Sequence, residues 1–118
     1  MMSTERTDPM FTNTPAVTIW EKTTVNHVPA YTRHQTGAAY WEDTNGETIN
    51  GITRNPDDKI LMIVSAANLG DYVPKTDDRI LNGEIAAAQP PKNALTVTSV
   101  KDFRYGSASV QHIELTAK

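Results

Sequence analysis

The chain has 118 residues, a formal net charge of −3 and no cysteine. That length suits one hydrophobic core and not two, and the missing cysteines exclude disulfides, thiolate metal sites and a cysteine nucleophile. The basic residues are scattered, so no cluster makes the electrostatic footprint of a nucleic-acid-binding surface; a mildly acidic wall suits passing DNA better than holding it.

Residues 1–14 hold four Thr with Ser, Asp, Asn and one Pro, and Met10-Phe11 is their apolar pair ahead of the predicted strands. They read as an extended arm, either free on its own or docked on a neighbour. No apolar stretch of signal-peptide length opens the chain, and the longest apolar run, Ile60 to Val64, is too short for a membrane span.

From residue 15 the pattern acquires a period of two. Ala16 to Thr23 is predicted as a strand, with Val17 and Ile19 on one face and Thr18 and Trp20 on the other. Asn26, His27 and Pro29 mark a turn or irregular link. Ala30 to Glu42 reads as a long second strand with a bulge or bend at Gly37-Ala38-Ala39, ending in the bulky Tyr40-Trp41. Residues 43–59 contain Asn45-Gly46, Asn50-Gly51 and Asn55-Pro56-Asp57-Asp58, turn signals that spell a long polar loop.

Ile60 to Val64 is predicted as a strand buried on both faces. Ser65 to Asp78 is predicted as a loop with at most one helical turn at Ala66 to Leu69. Arg79 to Ile85 resembles a hairpin turning at Asn82-Gly83, and Pro90-Pro91 breaks the chain. Ala94 to Phe103 alternates, with Leu95, Val97 and Ser99 opposite Thr96, Thr98 and Val100. After a turn at Tyr105-Gly106-Ser107, Val110 to Thr116 alternates again. Together these elements predict an all-β fold, a small β-barrel or sandwich of six to seven short strands. It carries a long inserted loop at 43–59 and the N-terminal arm, with residues 15–118 as one domain.

Chemistry-bearing residues are few. His27, His34 and His112 have no metal-ligand spacing. The carboxylate pairs Asp57-Asp58 and Asp77-Asp78 each sit beside a turn and ahead of an apolar strand, which capping and turn chemistry explains better than catalysis or calcium binding. No serine lies in a nucleophile elbow, and no glycine loop suits a phosphate. Tyr31, Tyr40 and Trp41 could form a sugar-stacking platform, although alternation puts Tyr40 and Trp41 on opposite faces. The residues therefore point to no catalytic, cofactor or metal site.

The chain from Val17 onward resembles the small head–tail connector proteins of long-tailed bacteriophages, described as minor capsid or head-closure (stopper) proteins. The resemblance lies in Val17 to Lys22, in Tyr31-Thr32-Arg33 leading to Ala39 to Asp43, and in Tyr72 to Lys75 with Asp77 to Ile80 and Gly83 to Ile85. It continues through Thr96 to Ser107 and His112 to Leu115. It implies a structural virion protein, made in the host cytoplasm and located at the head–tail interface. There, six copies would form a ring between a portal-adaptor protein above and a tail-terminator or tail protein below. The ring would retain packaged DNA, which meets it only by passage through the channel, and would offer the platform for tail attachment. No membrane is involved.

The corresponding channel loop would include Glu42, Asp43, Asn45, Gly46, Glu47, Asn50, Gly51 and Arg54. The surfaces toward ring neighbours or partners would include Met10, Phe11, Tyr72, Pro74, Lys75 and Arg79. Two other readings stand beside this one: a tail-terminator ring at the same joint, and a carbohydrate-binding or adhesion module.

Overall fold

A computed structural model describes residues 12–43, 59–107 and 110–118. The fold is all-β. Its strands are β1 (Val17–Val25), β2 (Val28–Gln35), β3 (Ala39–Asp43), β4 (Ile60–Ser65), β5 (Arg79–Asn82), β6 (Leu95–Phe103) and β7 (His112–Ala117). A helical turn, α1 (Ala66–Leu69), falls where the sequence places it, capped by the Ser65 hydroxyl accepting from the Asn68 N–H. The strands form one antiparallel seven-stranded sheet in the order β2-β1-β5-β6-β7-β4-β3.

Hydrogen bonds at its two ends curl this sheet toward closure. Thr14, on the lead-in to β1, exchanges backbone hydrogen bonds with Ala39 of β3 at 3.0 and 3.1 Å. Asn13 extends that pairing with its side chain, donating to the Trp41 carbonyl and accepting the Trp41 N–H. β2 and β3 thus run one after the other along the β1 lead-in, much as the predicted long strand requires. They are separate strands because the chain turns at residues 36–38. There the Gly37 N–H goes to the Asn68 carbonyl, and Asn68 Nδ2 donates to Ala38 O. A Cβ at Gly37 would lie 3.1 Å from the Asn68 side chain, which accounts for glycine at this close approach.

The core is made by alternation. Val17 and Ile19 of β1, Ile60, Met62 and Val64 of β4, Ile80 of β5, Val97 of β6, and Ile113, Leu115 and Ala117 of β7 are buried together. Leu61 and Ile63 are only half-buried, so β4 is less enclosed than its continuous apolar run suggests.

The turn expected after β1 is present as a tight hairpin, whereas the place of Pro29, the path at Asn82-Gly83 and the alternation in β6 depart from expectation. Asn26 and His27 both have positive φ (52° and 64°) between the paired Val25 and Val28, the mirror-image turn that matches strand twist. Pro29 belongs to β2. Asn82-Gly83, in contrast, makes no hairpin: Gly83 N–H bonds to Ala16 O, and the chain beyond it is captured by side chains of β1 and β2. Thr18 Oγ1 donates to Gly83 O and accepts from Ile85 N–H, Trp20 Nε1 donates to Ala87 O, and Arg33 Nε donates to Ile85 O. This segment covers the second face of β1, so Trp20 is buried as fully as Ile19 on the opposite face.

Finally, the alternation in β6 breaks at a bulge between Val97 and Ser99. The extra residue brings Val100, rather than Ser99, back to the core side behind Val97. β6 lies between β5 and β7: Leu95 and Thr96 pair with β5 on one side, and Val97 to Phe103 pair with β7 on the other, across the bulge.

Candidate functional site

The β1–β2 hairpin is only partly enclosed by the rest of the sheet. Only its root lies within the wider sheet: Thr18 to Trp20 pair with both β2 and β5, whereas Glu21 to Val25 have β2 as their one strand partner among the described residues. Burial falls accordingly, from fully buried at Val17 to Trp20 to exposed at Thr23 to Val25. Val25 and Val28 at the tip are 57% and 61% exposed.

A polar clamp holds the hairpin where it leaves the sheet. Backbone bonds at Ala16 and Val17 show that even-numbered residues of β1 bond toward β5 and odd-numbered ones toward β2. The chain turns at Asp78, just ahead of β5, and its carboxylate continues the ladder by accepting the Lys22 N–H at 2.9 Å. The same carboxylate accepts the Lys75 N–H at 3.0 Å and the Tyr72 hydroxyl, and faces Lys75 Nζ at 3.3 Å. Asp78 is completely buried, so each of these donors offsets the cost of desolvating its charge.

The Tyr72 ring stacks on His34 of β2, with centroids 3.9 Å apart and planes within 4°. His34 Nε2 lies 2.8 Å from Glu21 of β1, and Lys75 Nζ lies 3.6 Å from the same carboxylate. Loop 70–78 is thereby tied to both strands of the hairpin. Burial, the hydrogen bond to Asp78 and the nearby charges of Asp78 and Glu21 push the Tyr72 phenol far above its ordinary range, so it stays a donor.

Among the described residues the outer side of β2 has no strand beside it. Tyr31, Arg33 and Gln35 lie opposite Lys22, Trp20 and Thr18, the positions of β1 that bond toward β5. Their own N–H groups therefore point away from β1, and among the described residues nothing accepts from them. Pro29 occupies the same parity nearer the tip, where a missing N–H costs no ladder bond. The next outward group, Gly37 N–H, is already taken by Asn68.

The residues expected from sequence distribute unevenly. Tyr72 and Lys75 join the clamp, and Pro74 beside them is buried. Arg79 lies on the other side of Asp78, where Nη2 donates to Ala94 O while the buried Nε has no partner among the described residues. Glu42 accepts from the Tyr40 hydroxyl at 2.9 Å, and Asp43 pairs across from Ile60, so β3 ends where β4 begins. Asn45, Gly46, Glu47, Asn50, Gly51, Arg54, Met10 and Phe11 lie outside the described residues, as do Asp57 and Asp58.

Of the platform aromatics, Trp41 packs against the core cluster. A separate aromatic group forms near the β6–β7 turn, where Phe103 stacks on His112 at 4.9 Å and meets Tyr105 edge-on at 6.1 Å. Among the described residues no three His, Asp or Glu side chains converge to hold a metal ion, and no helix is long and apolar enough to cross a membrane.

Sequence reasoning missed the central part of Asp78. Turn chemistry accounts for its bond to Lys75 N–H, but the bonds to Lys22, 56 residues away, and to Tyr72 carry no local signal.

The molecule is thus a small all-β protein with a clamped, half-projecting hairpin. Residues 11–118 match the model of the family described as "Family of unknown function (DUF6751)", and the chain belongs to that family. No curated protein and no solved structure matches it.

Proposed function

We propose that this chain is a non-enzymatic structural subunit of the head–tail joint of a long-tailed bacteriophage. In this reading it is a head-closure (stopper) protein that forms a ring of six copies on the portal-adaptor assembly, retains packaged DNA and receives the tail. The observation that carries the reading is the hairpin. A two-stranded ribbon in water is marginally stable alone. Here one extends past the sheet, fixed at its root by a buried carboxylate, with an apolar tip and an open backbone edge. Such a feature is the expected anatomy of a subunit whose fold is completed by neighbours.

Two further observations support it. The order and spacing of the β1, β3, β5–β6 and β7 segments resemble those of head-closure proteins across most of the chain. The net charge of −3 and scattered basic residues suit a wall past which DNA moves without adhering.

The test is to locate the protein by antibody labelling and mass spectrometry on separated virion parts. Its presence as a ring on tailless, DNA-filled heads is the expected result. Its presence on isolated tails and not on heads would replace head closure with tail termination. Absence from every virion part, with binding on a glycan array lost in Trp41→Ala, would replace both with a carbohydrate-binding module.

A further inference from the structure

We infer that the open edge of β2, at Tyr31 to Gln35, receives residues 1–11 of a second copy of this chain as an added strand. The inference rests on the ring reading above and names the contact that would join one subunit to the next.

Three observations lead to it. First, the edge is a defined acceptor. The N–H groups of Tyr31, Arg33 and Gln35 face outward at alternate positions, bounded by Pro29 toward the tip and by the Gly37–Asn68 bond toward the root. Alternating free donors and acceptors on a strand edge are what an extended peptide pairs with.

Second, the chain already uses its N-terminal segment this way. Asn13 and Thr14 pair with β3, with Asn13 making side-chain bonds that mimic one more ladder position. β3 itself follows β2 after the turn at residues 36–38.

Third, direction and length favour a neighbour. Going backward from Thr14 opposite Ala39 to Asn13 beside Trp41, the segment heads toward Asp43 and away from β2 of its own chain. Residues 1–11 span up to about 36 Å when extended, enough to reach an adjoining subunit. A contact from the arm of one copy to the edge of the next is heterologous, and such contacts close into a ring when the rotation allows. Pairing β2 with β2 of a second copy would instead give a two-fold dimer.

The test uses the full chain. It has no native cysteine, so Thr4→Cys carrying a nitroxide is labelled at one place. This spin-labelled, unenriched protein is mixed with nitrogen-15-labelled chain, so any broadening of amide signals comes from a different molecule. Broadening centred on Tyr31 to Gln35 is the expected result. It should weaken about tenfold when the enriched chain carries Tyr31→Pro, which removes one outward N–H and no bond to β1, and should persist in Tyr31→Ala. The broadening is measured on the unsubstituted edge first, so the inference remains testable if the proline variant folds poorly.

Broadening elsewhere, or none between molecules, overturns the inference. So does broadening of the β2 amides only when label and isotope share one chain. If the arm misses β2 while virion necks still carry a ring of this protein, the inference alone falls. If the protein is absent from necks, the functional reading falls and the arm contact is judged on the spectra alone.

Discussion

The two halves of the β1–β2 hairpin share the same strands, but their environments differ. At the root, Val17 to Trp20 are buried on both faces, by the hydrophobic core on one side and by the 83–87 segment on the other. Toward the tip, Thr23 to Ala30 touch little beyond each other and hold the only described pair of adjacent non-glycine residues with positive φ. The boundary falls at Glu21 and Lys22, where Asp78 and the stacked His34–Tyr72 pair grip the ribbon. One hairpin can thus be both a core element and a projection, provided a polar clamp stops the sheet from extending and fixes the angle of departure.

Removing the clamp's centre should break this contrast most completely. Asp78→Ala leaves the Lys22 N–H, the Lys75 N–H and the Tyr72 hydroxyl without their acceptor, and should cost about 3–5 kcal/mol in urea or guanidinium unfolding. Trp20→Phe loses the bond to Ala87 and part of the packing on the second face of β1. A cost of about 1–3 kcal/mol is expected, with faster proteolysis within residues 84–88.

Tyr72→Phe should cost about 1–2 kcal/mol at neutral pH. It should also change the alkaline limb of the stability curve. The folded phenol titrates far above the unfolded value near 10, so its contribution is complete below pH 10 and falls as the pH rises further. The variant should therefore lose stability less steeply than the parent in that range, as measured by unfolding between pH 9 and pH 11. At the tip, Val25→Thr with Val28→Thr should change monomer stability by no more than about 0.5 kcal/mol. Assembly onto purified heads should nevertheless fall, as read by pelleting the protein with them.

Sequence reading reached the strands and their core faces where the period of two is undisturbed, as at Val17 and Ile19 or at Ile113 and Leu115. It failed where something other than alternation decides the path. Asn82-Gly83 carries the strongest local hairpin signal, yet Thr18, Trp20 and Arg33 draw the following segment across β1 with side-chain bonds. The bulge in β6 shows only in its register against β7, which no single strand reveals. For the candidate site, the resemblance singles out Tyr72 and Lys75 as partner-facing residues and carries no sign of the clamp they join, while Asp78 reads as an ordinary turn residue because its distant partners are set by the fold. The open edge of β2 was not legible at all, since an edge is defined by which strands are absent beside it.

Residue-resolved amide hydrogen exchange on the free, full-length protein tests the central claim most directly. The amides of Ile19, Glu21, Lys22 and His34 should exchange only on global unfolding, while those of Val25 and Val28 open locally and those of Tyr31, Arg33 and Gln35 exchange fastest of all. Equal protection along the whole hairpin, or protection of the outward β2 amides in the free chain, would contradict a clamped root with an available edge.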